Sequence, residues 1–194
     1  MSLWRDRNVS QRTQHVSRGL VLLLAMGSAM AMSAHHRSAM AASESDTFVT
    51  VFEETCAGAR KTFANAVEHA KQKGWSVVSP LSHAQLAAVM QKSADGMAQG
   101  KAEGHVTDFL HETFSKIVSG RPVHLVVSLT QSSIFDQIGC YLYDFDATAP
   151  VDRSAVTSAL KIAPANVIDD AAIVTAVWGP PKKASGRLDT YLTY

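Results

Sequence analysis

Cysteine, charge of one sign and long apolar runs are all scarce in this chain. Two cysteines, Cys56 and Cys140, stand among 194 residues, so only one intramolecular pairing is possible. The 18 basic residues nearly balance 17 acidic ones. After residue 41 there is no basic cluster beyond Lys182-Lys183. Nucleic-acid binding therefore has no electrostatic footprint, and no nucleic-acid partner is expected. The apolar stretch from Leu20 to about Ala34 falls short of the roughly 20 residues that span a bilayer. No HExxH or GxSxG pattern occurs. Ser158-Ala159-Leu160-Lys161 matches SxxK, but the SDN and KTG companions of that chemistry are missing. Gly100-Lys101 lacks both the spacing and the hydroxyl residue of a phosphate loop. Cys56 has no evident base nearby and is no candidate nucleophile. Internal repeats and interdomain linkers are absent as well, and nothing calls for a cofactor.

What is present begins with a leader. Arg5, Arg7, Arg12 and Arg18 precede the apolar stretch, and Ser38-Ala39-Met40-Ala41-Ala42 follows it. These are the three parts of a secretory signal, with cleavage expected after Ala41. Residues 1–41 hold five basic residues and one acidic residue, so the mature chain carries a net charge of about −3. The expected location is the bacterial periplasm or the medium, with no transmembrane segment left after cleavage. Residues 42–49 are polar and read as a flexible tail. Residues 50–194 then form one domain, large enough to bury its own core.

The stretch from Thr50 to Lys73 has the apolar spacing of one helix face, through Phe52, Cys56, Phe63, Val67 and Ala70. Thr50 and Glu53 suggest its capping box. Trp75 to Val78 reads as a short strand, and Ser82-His83 opens a helical run to Met90. Residues 93–104, with Gly96, Gly100 and Gly104, read as a loop. Val106 to Val118 reads as a helix stopped by Gly120.

Val123 to Thr130 and Ile138 to Tyr143 alternate like two strands of a hairpin. Matching their faces places Val127 beside Cys140 and Leu125 beside Leu142. In an oxidising compartment a Cys56–Cys140 disulfide is then expected to join the first helix to the sheet. Asp152 caps a helix to Leu160. Ala171 to Trp178 reads as an inner strand covered on both faces, and Arg187 to Tyr194 as the last strand. The expected fold is α+β: one antiparallel sheet of about four to five strands, with helices mainly on one face.

Two groups of residues carry chemistry. On the hairpin face turned away from Cys140, Tyr141, Tyr143 and Phe145 lie beside His124, the composition of a surface for a peptide, glycan or protein. His105, Asp108, His111 and Glu112 crowd one short stretch; on a helix, positions 105, 108 and 112 share a face and can converge on a metal. The leading expectation is an exported, non-enzymatic module that binds an envelope protein or other extracytoplasmic component. The competing one is a small envelope hydrolase or metal-dependent enzyme built on the His/Asp/Glu set.

Overall fold

A computed structural model describes residues 31–56, 62–134, 136–170, 173–179 and 190–194. Most of the expected leader, the first two residues of the expected inner strand, Ala171 and Ala172, and the start of the expected last strand lie outside these residues. Among the described residues, no helix is long and apolar enough to cross a membrane.

The chain forms one α+β domain with two antiparallel sheets. Helix α1 (Ala31–Cys56) and helix α2 (Phe63–Gln72) lead into β1 (Ser76–Val77), a 3-10 turn (Pro80–Ser82) and helix α3 (Ala84–Ala102). Strands β2 (Asp108–Val118), β3 (Arg121–Gln131) and β4 (Asp136–Tyr143) complete the first sheet, in the order β1-β2-β3-β4. Helix α4 (Arg153–Leu160) precedes the second sheet, β5 (Asn166–Asp170), β6 (Ile173–Trp178) and β7 (Thr190–Thr193). The single expected sheet is thus two.

Helix α1 is the spine between them. On one side Phe48, Val51, Phe52 and Cys56 pack with Ala66 and Ala70 of α2 against Phe114, Val123, Leu125 and Val127. On the other, Val49 joins Val156 and Leu160 of α4 and Ala176 and Trp178 of β6. The Ser45 hydroxyl accepts from the Asp152 amide at 3.0 Å, tying the spine to the start of α4. Trp178 donates its indole N–H to Thr157 at 3.1 Å, so the second core keeps its buried polar atoms paired at these points.

Five expectations about local structure are corrected. Residues 42–49 are helical, not a tail, and Ser45 and Val49 are buried. Thr50 lies inside α1, where no helix begins. The single helix to Lys73 is two helices: Thr62, in extended backbone, caps α2 by accepting from the Asn65 amide at 3.2 Å. The stretch 93–102 continues α3; alanine, glutamine, methionine and lysine outweigh two glycines, each of which costs about 1 kcal/mol. At Gly100 a side chain would sit 2.9 Å from Val106 Cγ2, so the helix end can approach the following chain only without one.

The fifth correction is the largest. Residues 108–118 are a strand. Thr113, Phe114, Ile117 and Val118 are β-branched or aromatic, and the strand pairs with β3 along its length, while the Thr113 carbonyl accepts from the Val78 amide on the other side. Ser119 and Gly120 both adopt positive φ, 49° and 80°, and link Val118 to its partner Arg121 as a two-residue hairpin turn. Ile117, expected on a core face, is 65% exposed.

Other expectations hold. Val127 pairs with Cys140 and Leu125 with Leu142. Cys56 and Cys140 are disulfide-bonded, with Cα atoms 5.8 Å apart and 84 residues of separation. Asp152 caps α4 by accepting from the Ser154 amide at 2.8 Å. That bond comes first among the effects holding its carboxyl below the usual carboxylate range. Strand β6 lies between β5 and β7 but is covered on one face: Ala176 and Trp178 are buried, whereas Thr175 and Val177 are half-buried.

Candidate functional site

Strand β3 supplies the site because both its faces are covered. Every residue from Val123 to Ser128 is buried. Val123, Leu125 and Val127 point at α1 and α2. His124, Val126 and Ser128 point the other way, since successive side chains alternate. On β4 their partners are Tyr143, Tyr141 and Gly139.

The expected aromatic row forms there and is only partly covered. Tyr141 is 46% exposed, while Tyr143 and Phe145 are half-buried. The Tyr143 and Phe145 rings stack with centroids 5.4 Å apart. Burial first, then Tyr141, pushes the Tyr143 phenol up from its ordinary value. Gly139 matters here because any Cβ would overlap the Tyr141 ring and the Ser128 hydroxyl. A glycine lets Tyr141 fold flat across its own strand.

Helix α3 covers the rest of the face through Leu86 and Met90, which pack on Val126, Tyr143 and Phe145. Its N-cap is His83, whose Nδ1 accepts from the Gln85 amide at 3.3 Å. The His83 ring stacks on Phe145 at 4.8 Å and lies 5.2 Å from the ring of His124. His124 itself is 4% exposed, and neither of its ring nitrogens has a hydrogen-bond partner. Burial first, then the neighbouring His83, lowers its pKa from the ordinary 6.5, with Asp146 acting in the opposite sense.

Beside the row, at the end of the first sheet, is a cleft of about 540 Å³ whose lining includes Phe48, Arg121, Tyr143, Phe145, Val151 and Tyr194. Arg121 bridges its walls. The guanidinium donates to Glu44 at 3.2 Å and to Asp144 at 3.1 Å. Asp144, then burial in the opposite sense, then Glu44 set its pKa, which is raised overall. Arg121 Nε stays unpartnered. One arginine thus faces two carboxylates, which links α1 to the end of β4.

The four residues considered for a metal are not brought together as the helical spacing required. On a strand, Asp108 and Glu112 share one face and His111 takes the other. His105 precedes the strand and lies 3.7 Å from Glu103. Asp108 accepts from the Phe109 amide at 2.9 Å and pairs with Lys101 at 3.4 Å, and in that order these lower its pKa. His111 lies by the Phe109 ring, at 5.6 Å. No group of three or more His, Cys, Asp or Glu able to hold a metal occurs among the described residues. Ser158 and Lys161 do not form a helical pair either, because Lys161 ends α4 in the left-handed conformation, φ 56°.

His83, Arg121 and Gly139 were not singled out by spacing. His83 carried a weak signal, standing just before a helix where an acceptor side chain is needed. The roles of Arg121 and Gly139 depend on partners far along the chain and had none. The disulfide fits an extracytoplasmic or other oxidising setting. No family model matches the chain, nor does any curated protein or solved structure.

Proposed function

We propose that this chain is an exported, non-enzymatic module of the bacterial envelope, periplasmic or secreted. It binds an envelope protein or other extracytoplasmic component through Tyr141, Tyr143, Phe145 and the adjoining cleft. The observation that carries this reading is the incomplete cover of the aromatic row: α3 reaches Tyr143 and Phe145 but leaves Tyr141 46% exposed. Aromatic side chains beside a cleft offer large contact area at low entropic cost, the composition of binding centres. Cleavage after Ala41 is compatible with this fold, because Glu44, Ser45, Phe48 and Val49 of α1 remain to hold both sheets.

Site-specific photo-crosslinking in the native envelope tests the proposal. A photoreactive phenylalanine at position 141 is expected to give a discrete adduct, weakened by Tyr143→Ala. The same group at Ile117, on a different and strongly exposed strand position, is expected to give none. Equal adducts from both positions, or none from 141, would remove the surface from consideration.

A further inference from the structure

We propose that His83 and His124 form an acid-sensitive latch, which holds α3 on the sheet at neutral pH and releases it as pH falls. Three geometric facts converge on it. His124 is buried with both nitrogens unpaired, so its proton has no acceptor when the helix is docked. A buried ring can stay neutral at modest cost; a buried, unpaired imidazolium cannot. His83 accepts the Gln85 amide on Nδ1 and so caps α3 at the end that lies over His124. A positive charge at that end of α3 also opposes the helix dipole. Finally, the rings are 5.2 Å apart, so charging one disfavours charging the other.

The surroundings offer limited relief. From α3 the titratable neighbour of His124 is His83, and from the loop after β4 it is Asp146, which favours the charged form but acts after burial and His83. Its strand partners are Tyr143 on β4 and the uncharged Ser115 on β2. What the latch holds is small: Leu86, Met90 and Val126 are the buried members of this core. The other face of the same sheet is joined covalently to α1. Acid therefore loosens α3 selectively and uncovers Val126, Tyr143 and Phe145. The latch operates whether or not that surface has a partner.

The sign follows from linkage. Docked, the His124 pKa lies below 6.5; released, it returns towards 6.5. The released state takes the proton first, so docking is fully favoured above about pH 6.5 and weakens as pH falls from there towards the docked value. One such proton shifts the equilibrium by at most about tenfold per pH unit.

Amide hydrogen exchange of the full disulfide-bonded protein, between about pH 7.5 and pH 5, tests the latch. Rates are corrected for the intrinsic pH dependence of exchange, with the β2–β3 amides as internal reference. Protection across Ala84–Ala102 is expected to fall below about pH 6.5, by up to about tenfold per unit, while the reference holds. His124→Leu is expected to flatten that profile. His83→Asn, which keeps a cap but removes the imidazole beside His124, is expected to reduce its slope. Should His124→Leu not fold, the wild-type profile and His83→Asn decide the matter. Corrected α3 protection that does not change with pH would overturn the latch. So would a slope left unchanged by either substitution that folds.

Discussion

The two faces of the first sheet are built from alternate residues of one strand, yet they are held by different means. On the face towards α1 and α2, Phe114, Leu125 and Val127 are buried, and the Cys56–Cys140 bond joins helix to strand. Trp75, in the same core, donates its indole N–H to the Thr55 hydroxyl at 3.0 Å. On the face towards α3, the buried apolar set is Leu86, Met90 and Val126, and His124 is left unpaired. One side is a stapled core and the other a lightly docked cover over aromatic residues. Stability and adaptability can therefore reside in the same four-stranded sheet without being the same energy.

Breaking the staple is expected to have the largest effect. In the chain-entropy account, a loop closed across a sequence separation of 84 restricts the unfolded chain by about 4–5 kcal/mol. Cys140→Ser should lower the unfolding free energy by about that amount, and wild type under reducing denaturation should behave the same way. Next come two truncations that separate the faces. Phe114→Ala is expected to cost about 3–5 kcal/mol and to lower protection throughout the sheet. Leu86→Ala, at about 2–5 kcal/mol for the same kind of change, is expected to expose chiefly the α3 amides. Exchange measured residue by residue would distinguish global from local loss; equal loss everywhere in both variants would erase the contrast between faces.

Smaller changes sharpen it. Gly139→Ala places a methyl group where the Tyr141 ring and Ser128 hydroxyl already sit. Overpacking of that kind costs about 1–3 kcal/mol, and altered tyrosine fluorescence would report the displaced ring. Smallest is His124→Leu at about pH 7.5, which replaces two unpaired nitrogens with apolar volume. The variant is expected to match wild type or exceed it by about 1 kcal/mol in denaturant unfolding, whereas truncations on the stapled face only destabilise.

The hairpin of β3 and β4 was the most legible part of the fold. Alternation over Val123–Leu129 and Ile138–Leu142 allows one register that buries both strands, and with it Val127 meets Cys140. Helix α4 was legible for a similar reason, since Asp152 supplies its own cap within the first turn. Residues 106–118 misled because Val106, Leu110 and Ile117 fit a helical period, although Thr113, Phe114, Ile117 and Val118 are strand-forming types. The Ser119-Gly120 turn was the local sign of a hairpin. The metal set was an artefact of that period and dispersed with it.

The sequence alone therefore determined what nearest neighbours and strict alternation can specify: the hairpin register, the cysteine pair that it aligns and the cap of α4. Only the tertiary structure decided that residues 108–118 pair as a strand, that the strands divide into two sheets around α1, and that α3 runs through its glycines. It also decided the burial of His124 against His83. These outcomes rest on contacts between residues far apart in the chain, where burial and backbone pairing override local propensity.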